Sequence, residues 1–218
     1  MKDKRVSLER IYQLWGWILL AWSLYRYFFV LPETLDEFLF KPLLFLAPVF
    51  YFVRFVEKRP WSSIGLHAQN LFRNIYIGIG FGLLFAVEGI AANFIKYGRI
   101  QLQPIAAFTQ YGLLLMIALS FATALSEEIL NRGFLFNRIA EKKRSVAYAA
   151  VISTLLFVLL HVPILVTSLK LQGTALVIFF ATDVIIGLTN SLLYYNTGSL
   201  VTPVLVHAFW NMAVAMYL

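Results

Sequence analysis

Val146-Ala-Tyr-Ala-Ala-Val-Ile-Ser-Thr-Leu-Leu-Phe-Val-Leu-Leu-His-Val-Pro-Ile-Leu-Val-Thr-Ser-Leu169 carries one histidine and no aspartate, glutamate, lysine or arginine. A hydrocarbon core about 30 Å thick is crossed by about 20 apolar residues in a helix. This run is long enough, and its apolar residues do not alternate as barrel strands would. Working outward, similar runs lie at 11–30, 38–56, 74–95, 104–126, 174–195 and 199–218. With 146–169 they predict an all-α, polytopic transmembrane bundle of about seven spans, six to eight at the limits. The composition agrees, with 61% hydrophobic and 13% charged residues and a mean hydropathy of +0.77. A soluble domain holds about 45–50% apolar and about 25% charged residues. The chain of 218 residues suits a single integral membrane domain, 1–218.

The net charge of +7 does not point to nucleic acid. Its basic residues cluster between the apolar runs, as topology signals do. Lys2, Lys4, Arg5 and Arg10 precede the first run, which is read as a retained span rather than a cleaved signal. Arg54, Lys58, Arg59 and Arg73 follow the second, and Arg138, Lys142, Lys143 and Arg144 follow the fourth. The alternate connections hold only Lys96, Arg99 and Lys170, beside Glu33, Asp36 and Glu37. The bias predicts a multi-pass protein with a cytoplasmic N-terminus. The absence of cysteine excludes disulfides, a thiol nucleophile and thiolate metal sites.

The fourth run does not end at its apolar boundary. Ser126-Glu-Glu-Ile-Leu-Asn-Arg-Gly-Phe-Leu-Phe-Asn-Arg-Ile-Ala140 keeps a helical rhythm in Ile129, Leu130, Phe134, Leu135 and Phe136. The fourth helix is therefore expected to continue, kinked, to about Ala140. A turn near Lys143–Ser145 then puts Glu127 about sixteen residues before it and His161 about sixteen after it. At about 1.5 Å per residue both reach the same depth, about 24 Å from the turn.

Ionisable groups inside a bilayer cost about 2.5–3.5 kcal/mol each and mark functional sites. Glu127 and His161 could hold and deprotonate a water. Glu128 and Arg132, spaced i, i+4, form an ion pair on one face, turned about 100° from Glu127. His207 and Asn211, also i, i+4, could donate to an oxyanion. Asp183 and Asn190 read as structural or cavity-lining, and Glu88 as structural. Two histidines and a carboxylate can also bind zinc, although HExxH is absent; no cofactor and zinc stand as alternatives here.

These residues carry a resemblance. Glu127-Glu128-x-x-x-Arg132 followed by Gly133, Phe157-x-x-x-His161, and His207-x-x-x-Asn211 resemble the EExxxR, FxxxH and HxxxN motifs of the CAAX protease and bacteriocin-processing family, also called the Abi family. The run Asn196-Thr-Gly-Ser-Leu-Val-Thr-Pro203 fits as well, and the likeness covers about 123–218, the catalytic half. The first hundred residues add only Trp61-Ser-Ser-Ile-Gly-Leu66. The resemblance implies a glutamate-dependent intramembrane endopeptidase. Glu127 with His161 would activate water, His207 and Asn211 would receive the oxyanion, and Arg132 would orient the site through Glu128. The implied partners are the bilayer and a peptide or protein substrate, prenylated in some members. The rival reading is a catalytically silent scaffold or a bacteriocin immunity or export accessory protein. A proton-relaying transporter is a third, against which the lack of inverted repeats counts.

Overall fold

The computed structural model describes residues 6–100 and 106–214. Seven helices and a short 3-10 turn, Trp61–Ile64, make up the architecture of the described residues. They are α1 (Leu8–Phe28), α2 (Glu33–Val56), α3 (Leu71–Tyr97), α4 (Gly112–Lys143), α5 (Val146–Leu169), α6 (Gly173–Thr197) and α7 (Val201–Val214). Helical residues 106–111 lead into α4 across a break at Gly112, φ 73°. The basic residues Lys2, Lys4 and Arg5, the start of the expected fourth span and the end of the seventh lie outside the described residues.

Five of these helices, in α2 to α6, are long and apolar enough to cross a membrane. Their outward faces are also apolar. Leu83, Leu84, Val87, Phe94 and Ile95 of α3 are exposed, and only 22% of the α3 span is buried. Water would not support so large an apolar surface, whereas lipid tails do. The chain is an integral membrane protein, a polytopic helical bundle as the sequence predicts.

Helix winding follows local chemistry. Pro48 in α2 and Pro163 in α5 are followed by wide π turns at Phe52–Val56 and Leu165–Leu169. A proline removes one donor and crowds the preceding turn, and such helices adjust their pitch nearby. α4 runs past its apolar boundary to Lys143, as expected, through a π segment at Ile129–Phe136. Gly133 lies in that segment because the carbonyl of Ile64 packs against it; a Cβ there would meet that oxygen at 2.7 Å.

Apolar faces give little direction to helix association inside lipid, so close packing of small residues does more of it. The α3–α7 seam shows this. A Cβ on Gly82 would lie 2.5 Å from the Phe209 ring, and one on Gly89 would lie 2.7 Å from Ala213 Cβ. Gly82→Leu should therefore cost about 1–3 kcal/mol, read as a lowered midpoint of thermal unfolding in detergent. Gly80→Leu, two residues away with nothing within 4 Å of its Cβ position, should leave the midpoint unchanged. Equal midpoints for both variants would refute the seam.

The α4–α5 end of the bundle carries ion pairs. Arg138 is buried and bonds Glu57 at 2.7–3.0 Å. Arg59 bonds Glu141 at 2.7 and 2.9 Å, and these hydrogen bonds raise its pKa further. Two of the basic residues counted as topology signals thus have acidic partners at their own end of the bundle.

Candidate active site

The polar residues singled out in the sequence converge near the middle of α4. Glu127 is buried at the wall of a cavity of about 270 Å³. His161 from α5 and Asn211 from α7 line the same cavity. The equal depth expected for Glu127 and His161 is realised: Glu127 Oε2 lies 3.7 Å from His161 Nε2. It lies 3.6 Å from His207 Nε2, brought in by α7. Both Glu127 Oε2 and His207 Nε2 are buried with no hydrogen-bond partner among the described residues.

Glu128 faces away from that cavity, into the bundle. Its Oε1 accepts from Arg132 at 3.0 Å and from Asn190 at 3.0 Å, and meets His207 Nδ1 at 2.7 Å. The i, i+4 pair forms as the spacing requires, and the 100° offset between the two glutamates separates their surroundings. Arg132 also lies over the Phe157 ring, 4.5 Å from its centroid. That ring touches both histidines edge-on, which gives the phenylalanine of the second motif a packing role.

The acceptors around each ring fix where its proton sits. His207 Nδ1 faces a carboxylate. His161 Nδ1 faces the Phe157 carbonyl at 3.1 Å and Asp183 Oδ2 at 3.3 Å. A hydrogen on each Nδ1 matches these acceptors, and each Nε2 is turned to Glu127. Asn211 Nδ2 donates to the Ser120 carbonyl at 3.2 Å. Its amide has a second N–H.

Further contributors are not in the motifs. Lys41 of α2 is buried, with Nζ 3.1 Å from Glu127 Oε1 and 2.6 Å from Glu37 Oε1. Thr123 donates to the other oxygen of Glu37 at 2.5 Å. Asp183 and Asn190, expected to be structural or cavity-lining, reach His161 and Glu128 from α6. Lys41 was detectable in principle, as a charged residue inside an apolar run, but no motif surrounds it and its partner is 86 residues away. Glu88 does not line the cavity.

A further charge cluster ties α1 to α2 and α5. Arg26 of α1 bonds Asp36 at 2.7 Å and Ser168 at 2.7 Å, and Tyr25 donates to Asp36. The Trp22 indole donates to the Leu160 carbonyl at 3.1 Å, one residue before His161.

The donor set does not fit a zinc site. Among the described residues no group of three or more His, Cys, Asp or Glu side chains is placed to hold a metal ion. The Lys41 ammonium on Glu127 would also repel a second cation at the same carboxylate.

The family described as type II CAAX prenyl endopeptidase, Rce1-like, matches residues 109–213. Searches of curated proteins and of solved structures found no match. The matched residues contain all three motifs and the helices that bear them. Residues 109–213 are thus similar to the Rce1-like family of CAAX proteases, in line with the resemblance carried by the three motifs.

Proposed function

We propose that the protein is an intramembrane endopeptidase, with Glu127 as general base, His161 as its partner on the water, and His207 with Asn211 as the oxyanion donors. The observation that carries this reading is the convergence on Glu127 Oε2. Two histidine Nε2 atoms stand 3.6 and 3.7 Å from a buried carboxylate oxygen at the edge of a cavity. Separations just beyond direct hydrogen bonding are what a shared water bridges.

The chemistry follows. Water held there gives one proton to Glu127 as its oxygen attacks the peptide carbonyl carbon. The carbonyl π electrons move to oxygen, forming a tetrahedral oxyanion. Asn211 can donate to it through its second N–H. His207 can donate from Nε2 when its ring is protonated, because Nδ1–H is already engaged by Glu128. On collapse the C–N bond breaks and Glu127 returns its proton to the leaving amine. Arg132 acts through Glu128, and Lys41 anchors the other oxygen of Glu127. The substrate is a peptide segment admitted to the cavity.

In this reading the chain is one membrane domain. Its chemistry comes from residues 123–218, and Lys41 completes it from outside that half. The N-terminus and the α4–α5 turn lie in the cytoplasm, following the basic bias. The cavity is lined at its far end by exposed Glu33 and Leu169, so peptides enter from the opposite side.

Two measurements test this. Purified protein in detergent micelles should cleave members of a diverse peptide library, with products read by mass spectrometry; no cleavage anywhere in the library would sink the assignment. The chain has no native cysteine, so single cysteines report topology directly. Leu169→Cys should react with a membrane-impermeant maleimide in intact cells, and Lys143→Cys only after lysis. The reverse pattern would invert the orientation.

A further inference from the structure

Asp183 is the charged side chain beside the site that the reaction above leaves unused. It sits on α6 and is fully buried. Neither of its oxygens has a hydrogen-bond partner among the described residues. Its near neighbour is His161 Nδ1, 3.3 Å from Oδ2. The charges of Glu127, His207 and Arg132 also act on it. An uncompensated carboxylate in a dry interior is among the costliest features a fold can keep. Helix packing does not require it: one turn further along α6, Gly187 lets the helix close directly against Thr154 of α5.

We propose that Asp183 is a positioning residue for His161, an inference that rests on the protease reading above. It receives Nδ1–H, holds the ring in that tautomer, and aims Nε2 at Glu127 Oε2. The Phe157 carbonyl at 3.1 Å also accepts from Nδ1, but it belongs to the same helix as His161. It cannot fix the ring relative to α4, where the base resides. Asp183 comes from another helix and supplies that external reference. The site is therefore a relay of alternating acid and imidazole, Asp183–His161–Glu127, running from α6 through α5 to α4.

The test combines kinetics with spectroscopy. The protein has three histidines, so nitrogen-15 histidine labelling yields a spectrum that His161→Gln assigns by difference. Wild-type His161 should show hydrogen on Nδ1. Asp183→Asn keeps the volume and removes the charge. It should lower kcat by about 10- to 100-fold with KM within about threefold, and shift the His161 signals while His67 stays unchanged. Asp183→Glu should recover part of kcat. Unchanged kcat in Asp183→Asn overturns the proposal, as does a kcat loss with an unaltered His161 spectrum, which marks a merely structural role. Should Asp183→Asn fail to fold, the wild-type spectrum still decides: a neutral His161 protonated at Nε2 is incompatible with the proposal. If the wild type cleaves no peptide, the protease reading fails, while the histidine spectra still report whether Asp183 governs His161.

Discussion

Glu127→Gln is expected to reduce peptide cleavage by about 10²–10⁴-fold, the range assigned to a general base, while the helical circular dichroism stays at the wild-type level. Glutamine keeps the shape and can still accept from Lys41 at Oε1. It cannot take a proton from water between the two histidines. The fold should tolerate the change, because the Lys41 ammonium keeps Glu37 as its charged partner and the cavity lies beside the side chain. The neighbouring glutamate sets the contrast. Glu128→Gln leaves Glu127 and the cavity untouched but deprives Arg132 and His207 of their charged acceptor. Its main effect should be on the midpoint of thermal unfolding, with a smaller loss of kcat through His207. Full loss of kcat in Glu128→Gln beside a nearly active Glu127→Gln would exchange the roles of the two residues.

Arg132→Leu should be the most destabilising of the single substitutions considered. Both members of the Arg132–Glu128 pair are almost inaccessible, 1% and 0% exposed in their side chains. Removing one member of a buried pair leaves a desolvated charge behind, at a cost of about 3–5 kcal/mol. His207 and Asn190 would remain on Glu128, which puts the loss at the lower end of that range. In detergent the unfolding midpoint should fall by several degrees. The double variant Arg132→Leu with Glu128→Leu should recover much of that stability, because no charge is left buried alone, yet it should remain inactive because His207 loses its anchor. A double variant no more stable than Arg132→Leu would show that the pair is not the source of the loss.

The sequence was legible where physics acts locally. Membrane helices are declared by continuous apolar runs, so the bundle could be read from 146–169 outward. The i, i+4 spacings of Glu128–Arg132 and His207–Asn211 reported shared faces, and a short turn between two antiparallel helices reported the depth of Glu127 against His161. What escaped depends on how separate helices rotate against each other. Nothing near Asp183 says that its face turns to His161 rather than to lipid or to another helix. Lys41 sits in an apolar run without a recognisable spacing, and its partners Glu37 and Glu127 are one local and one distant. The basic residues that suggested orientation gave no sign of their partners either: Arg59 pairs with Glu141 and Arg138 with Glu57.

The buried charges have a consequence for how the chain assembles. Arg26 with Asp36 joins α1 to α2, Lys41 with Glu127 joins α2 to α4, His161 with Asp183 joins α5 to α6, and His207 with Glu128 joins α7 to α4. Lipid-facing leucines cannot tell one neighbouring helix from another, since tails and side chains are equally apolar. The charges can, because a mispaired charge is left alone in hydrocarbon. They favour the neighbours seen in the bundle, because another pairing of these helices would leave a charge without its partner. The same contacts that would run the reaction would thus also serve as a proofreading code for assembly, so a wrongly assembled bundle would be at once unstable and inactive.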